Sequence, residues 1–142
     1  MAENKEKKVV SLKELLSADT EKFKEQPEDI VKSDVLSKKL GTEAYVKIRG
    51  IKPRVYENIV GPATDNDAKQ FDAKLMMLVE GVVEPNLKDK ELQSYFGART
   101  PKELAEILFG ADANTIFIRI GQLSGYIDED GEDRDVPSEA KN

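Results

Sequence analysis

The chain of 142 residues contains no cysteine, no histidine and no tryptophan. Without cysteine it can have no disulfide, thiolate nucleophile or cysteine metal site. Without histidine it lacks the commonest metal ligand and the usual general base near neutral pH. Most familiar active sites are therefore excluded, and we expect a protein that is not an enzyme and has no cofactor and no metal site.

Long hydrophobic runs are also missing. No apolar stretch approaches the ~20 residues that span a bilayer, and the opening residues MAENKEKKVV lack the apolar region of a secretory signal. We therefore expect a soluble protein of the cytoplasm that makes no contact with a membrane. Its length and its 39% content of hydrophobic residues suffice for one buried core, so a single domain is expected.

The negative charge is concentrated at the C-terminal end of the chain. Of the formal net charge of -6, residues 128–142 carry -5, because seven acidic residues there stand against two basic ones, and the rest carries -1. A nearly neutral body has no basic stripe to neutralise phosphates, so nucleic-acid binding is not expected. We predict a flexible N-terminus over residues 1–8, one folded domain over 9–127 and a disordered acidic tail over 128–142.

Three sequence patterns were compared with a calcium site, a catalytic carboxylate pair and a nucleotide-binding loop, and none of them supports such a site. The acidic stretch from Asp128 resembles a calcium loop, but its sixth position is Asp133, where an EF-hand loop needs glycine. Glu80 and Glu84 would lie one turn apart on a helix and suggest a carboxylate-only hydrolase as a remote alternative, yet such pairs are routine on solvated helix faces. No glycine-rich phosphate loop of known spacing follows a strand, so nucleotide binding is not expected.

The N-terminal half is predicted to combine short helices with a small antiparallel β element. SLKE at Ser11–Glu14 has the form of a capping box and starts a short helix. In EAYVKIRGI apolar and polar residues alternate, which predicts a half-buried strand, and with the preceding EDIVKSDVLSKKL it would form a small sheet or a hairpin. Pro53 suits the first turn of the next helix, which Gly61 ends.

A long central helix is predicted after the loop GPATDND. Six apolar residues fall within a stripe about 100° wide at the helical period, which is typical of a helix packed on a core. The stripe consists of Ala68, Phe71, Leu75, Leu78, Val79 and Val82. Pro85 is expected to stop this helix.

Three shorter helices are predicted to follow the central one. Leu92, Tyr95 and Phe96 lie on one face of a short helix that ends at Gly97. TPKE at Thr100–Glu103 is a second capping box. Asp112 can cap the last helix, whose inward row is formed by Ile116, Ile120 and Leu123. The fold class expected from these elements is α+β: a mostly helical domain with a small N-terminal antiparallel β element.

Several apolar residues lie outside these stripes and are candidates for contacts with a partner protein. They are Met76, Met77, Val83, Phe109 and Ile118. Ordinary packing against neighbouring helices is the interpretation that the pattern favours. The alternative is an exposed apolar patch, in which flexible methionine side chains adapt to an irregular partner surface.

The order and spacing of these segments resemble the phage tail assembly chaperone family of the XkdN-like type, found in prophages of Gram-positive bacteria. The resemblance runs from about Ser11 to Tyr126. The segments that carry it are SLKELL, KKLGTEAYVKIRGI, LVEGVVEPNLKDKELQSYFGA, TPKELAEILF and QLSGY. Where the family commonly has a PGE-like turn before the last helix, this chain has GADA at Gly110–Ala113.

The resemblance implies a helper protein without a reaction of its own. It would bind the long tape measure protein in the host cytoplasm, promote assembly of the tail tube, and be absent from the mature virion. Further implied or possible partners are the tail tube protein and a second copy of the chain. A different class of protein stays open as the alternative: a small structural component, at the head-tail joint or in tail completion, that is retained in the particle.

Overall fold

Eight α-helices, one short 3-10 helix (Gly110–Asp112) and three strands follow one another in the computed structural model, which describes residues 7–63 and 66–132. The helices are α1 (Leu12–Leu16), α2 (Thr20–Lys24), α3 (Asp34–Leu40), α4 (Pro53–Val60), α5 (Asp67–Gly81), α6 (Lys90–Tyr95), α7 (Pro101–Phe109) and α8 (Ala113–Ser124). The strands are β1 (Glu28–Lys32), β2 (Tyr45–Arg49) and β3 (Val82–Glu84). The mixture of helices with an antiparallel sheet agrees with the predicted α+β class.

The strand predicted from alternating residues is confirmed as β2, the middle strand of an antiparallel sheet in the order β1-β2-β3. Val46 and Ile48 point into the core with 1% and 0% of their surface exposed, while the alternate residues face solvent. Period-two alternation has this outcome because successive side chains of a strand point to opposite faces. Of the two predicted arrangements, a small sheet or a hairpin, the structure has the sheet, and α3 lies in the connection between β1 and β2.

The third strand corrects the expectation that the β element is N-terminal. Val82–Glu84 follows the central helix directly and pairs with β2 through Ile48 and Lys47. The helix therefore ends at Gly81, before the proline that was expected to stop it. The two adjacent β-branched valines suit a pleated strand better than a further helical turn.

The central helix α5 is covered on more than one side. Leu75, Leu78 and Val79 of the predicted stripe are 1%, 0% and 5% exposed. Ala68 and Phe71 are exposed, because the first turns of α5 extend beyond the core. Residues of α4, α7 and α8 contact α5, so the interpretation of surplus apolar residues as core packing is confirmed for most of this helix.

Helices α5 and α8 approach each other at a glycine. A Cβ added to Gly81 would lie 2.6 Å from Cδ1 of Ile120, closer than real contacts of this kind. Ile120 is itself fully buried. The absence of a side chain at Gly81 therefore lets the isoleucine of α8 pack directly against the α5 backbone.

Both predicted capping boxes begin helices. Ser11 and Glu14 exchange the two reciprocal bonds, with the Glu14 amide donating to the Ser11 hydroxyl at 3.1 Å and the Ser11 amide donating to Glu14 at 3.0 Å. Thr100 accepts from the Glu103 amide at 3.1 Å, but the Glu103 carboxylate accepts from the Arg99 amide instead of the Thr100 amide. In the second box the glutamate side chain therefore binds the amide of the residue before the N-cap, not the amide of the N-cap itself.

The prediction that the Asp112 side chain caps α8 is wrong. The side chain makes no capping bond at the start of α8. Instead, Oδ2 of Asp112 accepts a hydrogen bond from the hydroxyl of Ser33 at 2.6 Å and from the amide of Val35 at 2.9 Å. Because Ser33 in turn caps α3 by accepting from the Leu36 amide at 3.1 Å, Asp112 fastens the start of α3 to the turn between α7 and α8.

Only the first part of the predicted acidic tail lies within the described residues. Asp128–Glu132 form a hydrogen-bonded turn, in which the Asp128 amide donates to the Glu132 carbonyl at 2.8 Å. The amides of Asp130 and Glu132 donate to the Asp128 carboxylate at 3.0 and 2.9 Å. Residues 133–142 of that tail, and residues 1–6 of the predicted flexible N-terminus, lie outside the described residues.

Candidate partner-binding surfaces

The structure separates the five apolar residues that were candidates for partner contacts. Met77 and Phe109 are 0% exposed and belong to the core, so the exposure considered for them is wrong. Periodicity placed Met77 away from the α5 stripe, but neighbouring helices cover that side of α5 as well. Met76, Val83 and Ile118 are half-buried, on α5, β3 and α8 respectively.

Met76 is the candidate that lines a recess on the surface. A groove of about 350 Å³ lies between α4 and α5. Its apolar lining consists of Ile59, Pro62, Ala63, Ala73 and Met76. Ile59 and Met76 are also packed against the hydrophobic core, so the walls of the groove continue the core outward to the surface.

Charged and polar side chains surround this groove. Asn58 contributes from α4, and Lys69 and Asp72 contribute from α5. The Asp72 carboxylate lies 3.6 Å from Nζ of Lys102 on α7, an ion pair between largely solvated side chains. An apolar floor with a charged rim is the form of site that accepts the apolar face of an amphipathic helix.

Helix α6 presents a second apolar surface, because two residues of the face predicted from its sequence, Tyr95 and Phe96, point to solvent, while Leu92 is half-buried and packs against the core. Tyr95 is 83% and Phe96 43% exposed, and their rings meet edge to face with centroids 5.4 Å apart. Gln93 is buried instead, with Nε2 donating to the Leu87 carbonyl at 2.9 Å. Periodicity correctly grouped the aromatic residues on one face but could not show that these two side chains point outward.

The N-terminal helices present a third apolar surface. Neither α1 nor α2 contains a buried residue, so their apolar side chains face solvent. Leu12 and Leu16 are 74% and 78% exposed, and Phe23 of α2 is 70% exposed.

The outer face of the sheet combines two apolar side chains with positive charge. Ile30 of β1 and Tyr45 of β2 are both more than half exposed. Lys47 stands directly opposite Ile30 and forms an ion pair with Glu28 at 3.5 Å. This face is more polar than the surfaces on α6 and on the N-terminal helices.

The polar groups suggest structural roles. Glu80 and Glu84 do not share a helix face, because α5 ends at Gly81 and Glu84 belongs to β3; Glu80 forms an ion pair with Lys88 at 3.1 Å. Arg119 lines an open recess beside the Asp128 turn and is bound to Asp29 of β1. Within residues 7–63 and 66–132, no three acidic side chains are grouped as a metal site would require.

Tyr126 joins the end of α8 to α4. Its ring stacks on Tyr56 with centroids 3.8 Å apart and planes 3° from parallel. Partial burial, and after it the nearby Glu57 carboxylate, raises the pKa of Tyr126 above its ordinary value of 10.0. At neutral pH the phenol is therefore protonated and can donate a hydrogen bond.

The fold and these surfaces define an α+β domain that exposes apolar side chains, with charged side chains beside them, at several places on its surface. None of the helices in the described part of the chain is long and apolar enough to cross a membrane. Apolar patches with polar rims are typical of proteins that bind other proteins. The class of protein suggested at this point is a binding module.

Comparison with known families identifies the module. A model of the phage XkdN-like tail assembly chaperone family matches residues 12–141, so the chain belongs to that family. This confirms the resemblance found in the sequence. The match includes α1 and α2 as well as the core elements.

Among solved structures, the fold is similar to the crystal structure of the protein yqbn, a structural genomics target. The two share 18% sequence identity and superpose with a TM-score of 0.51, over 70% of this chain and 87% of the other. At that identity the likeness extends to the fold alone. No curated protein matches the chain.

Proposed function

We propose that the protein is a chaperone that binds the tape measure protein of its phage and keeps it assembly-competent while the tail tube forms. Membership of the XkdN-like tail assembly chaperone family is the observation that carries this proposal. The family resemblance implies a long tape measure protein. Before the tube surrounds it, such a protein would expose the apolar faces of its helices. A helper that covers those faces reversibly would prevent their aggregation.

The groove between α4 and α5 supports this function physically. An amphipathic helix binds by placing side chains spaced i, i+3, i+4 and i+7 into an apolar groove. Met76 suits such a site because its unbranched, polarisable side chain adapts to different partner residues. A groove with few apolar contacts and a solvated rim favours weak, reversible binding, because the loss of translational and rotational freedom on association offsets much of the free energy of the contacts.

Co-expression with fragments of the tape measure protein encoded by the same phage tests the proposal. The wild-type chain should increase the soluble fraction of these fragments and be recovered with them. Replacing Ile59→Asn and Met76→Gln together should reduce this capture, because it makes the groove floor polar. Leu40→Gln is the matched control, since Leu40 lies outside the groove and is 65% exposed.

The results distinguish an error in the proposed function from an error in the proposed binding groove. If the wild-type chain neither binds nor solubilises any fragment, the proposed function is wrong. If the groove variant is folded by thermal denaturation and still captures fragments fully, the function stands and another surface carries it. Substitution of Met77 by a charged residue is unsuitable for this test, because that side chain is fully buried and the variant would unfold.

The location of the protein during infection forms part of the same proposal. A chaperone that acts in the host cytoplasm should be abundant in infected cells and absent from purified phage particles. A structural head-tail or tail-completion component should be present in particles at a fixed stoichiometry. Quantitative mass spectrometry of purified particles distinguishes the two, and binding of the tail tube protein can be examined in the same lysates.

A further inference from the structure

An apolar stretch at the start of the described chain has no counterpart in the core. Six of the ten large apolar side chains that are more than half exposed in the described residues belong to residues 9–24, here named the N-terminal segment. They are Val9 at 87%, Val10 at 56%, Leu12 at 74%, Leu15 at 51%, Leu16 at 78% and Phe23 at 70%. No residue of α1 or α2 is buried, so the segment leaves its apolar face in water.

The segment is nevertheless shaped by specific local bonds. Lys8 forms an ion pair with Glu14 at 2.8 Å, beside the capping box that Glu14 makes with Ser11. Asp19 caps α2 by accepting from the Glu21 amide at 3.0 Å. Helices of five residues are not stable in water through local bonds alone, and most helical stability in proteins comes from packing an apolar face. The segment therefore has the local signals of helices, but the rest of the described chain does not bury its apolar residues.

We propose that the N-terminal segment packs against the same segment of a second copy of the chain, in an antiparallel, two-fold arrangement. The distribution of charge selects this partner and orientation. Residues 7–16 contain three lysines and one glutamate, a net charge of +2, whereas residues 17–25 contain three acids and two lysines, a net charge of -1. Antiparallel pairing places the positive half of each copy on the negative half of the other, and parallel pairing opposes like charges.

The available apolar area sets the strength of the dimer. Covering one valine, leucine or phenylalanine removes roughly 60 to 120 Å² from water. Six such side chains in each of two copies amount to about 700 to 1,400 Å², at the lower edge of the ~1,200 to 2,000 Å² found in stable interfaces. An interface of this size should be weak enough for association to depend on protein concentration, and a dissociation constant on the order of 10 to 100 µM is the range to examine first. This inference is independent of the tape measure proposal.

Sedimentation velocity on the full chain, from about ten-fold below to ten-fold above that range, tests the dimer. The mass of the wild-type chain should rise from the monomer value of 15.9 kDa toward twice that value. Leu12→Gln with Leu16→Gln should weaken association at least ten-fold and leave the unfolding midpoint unchanged, since neither side chain is buried. Leu40→Gln is the control: it alters a leucine of similar exposure on α3 and should leave association unchanged.

The absence of cysteine allows a direct test of the orientation. In a two-fold antiparallel pair of residues 9–24 the axis passes near Leu16 and Ser17, so Ser17→Cys should form an intermolecular disulfide with its own copy under mild oxidation. Ser94→Cys, at an exposed position on α6, is the matched control and should stay monomeric. A dimer that forms without the Ser17 crosslink would overturn the antiparallel arrangement.

Two other outcomes would overturn the proposal as a whole. The first is a wild-type chain that remains at 15.9 kDa over the entire concentration range. If the leucine variant of such a chain also lost capture of tape measure fragments, the segment would be assigned to a helix of another protein instead. The second is equal loss of association in the Leu40 control and the leucine variant, which would place the dimer contact elsewhere.

Discussion

Removal of the Asp112 carboxylate should destabilise the fold through α3, not through the helix that Asp112 immediately precedes. The side chain accepts from the Ser33 hydroxyl at 2.6 Å and from the Val35 amide at 2.9 Å, although 79 and 77 residues separate the partners in sequence. Ser33 is 0% exposed. Asp112→Ala therefore leaves a buried hydroxyl and a helix-start amide without their acceptor.

The expected cost follows from these two bonds. Hydrogen bonds to a charged group contribute about 1.5 to 3 kcal/mol each at most, and a buried donor left unpaired costs about 1 to 3 kcal/mol. Because the site is only partly buried and water can reach some of it, we expect Asp112→Ala to lower the free energy of unfolding by about 2 to 3 kcal/mol. Ser33→Ala should cost a similar amount, since it removes the same bond and also the cap on the Leu36 amide.

A double-mutant cycle measured by urea denaturation tests the pairing. The combined loss in Ser33→Ala/Asp112→Ala should be smaller than the sum of the single losses by about 1 to 2 kcal/mol, because both variants remove one shared bond. Asp89→Ala is the control, since Asp89 caps α6 in the same way by accepting from the Leu92 amide at 2.9 Å. Its effect should add to that of Ser33→Ala within about 0.5 kcal/mol.

Amide hydrogen exchange shows which helix is affected. In Asp112→Ala the amides of Val35 and Leu36 should exchange faster, while the first turn of α8 should change little. A cost below about 0.5 kcal/mol, additive single losses, or faster exchange confined to the start of α8 would each refute the reasoning. The last of these would restore the local cap predicted from the sequence.

Three further substitutions test the packing of the core and the environment of Tyr126. Leu75→Ala should lower the free energy of unfolding by about 2 to 5 kcal/mol, because Leu75 is 1% exposed on α5; a change below about 0.5 kcal/mol would contradict its burial. Gly81→Ala should be destabilising by about 1 kcal/mol, since crowding against Ile120 outweighs the helical preference of alanine, and in an Ile120→Val background the alanine should cost less. Tyr126 has a raised pKa in the folded state, so its contribution to stability is present below its ordinary pKa of 10.0 and is lost as the pH rises through the folded-state pKa. In urea titrations from about pH 9 to about pH 11, Tyr126→Phe should therefore lose less stability than wild type, and parallel losses would contradict this.

Local features were predicted well because they depend on neighbours in the chain. Ser11 and Thr100 start helices, Pro53 and Pro101 occupy first turns, and β2 shows the alternation read from its residues. A cap bonds to an amide two or three residues away, and alternation follows directly from the geometry of a strand. The order of such elements was also sufficient to indicate the family.

The exposure of the candidate residues was predicted poorly because exposure is a property of the whole fold. Periodicity groups Tyr95 with Phe96, and separates Met77 from the stripe of α5, but it does not show which groups other elements cover. Of the five candidates, Met76 lines a groove, while Met77 and Phe109 are fully buried.

The sequence by itself therefore determined the helix starts at Ser11 and Thr100, the central strand, the α+β class and the family. Tertiary structure alone decided that Val82–Glu84 joins the sheet, that Asp112 binds Ser33, and that the N-terminal helices remain uncovered. Each of these depends on contacts between residues far apart in the chain. Local preferences are satisfied within a few residues, whereas such contacts form only when the whole chain closes around one core.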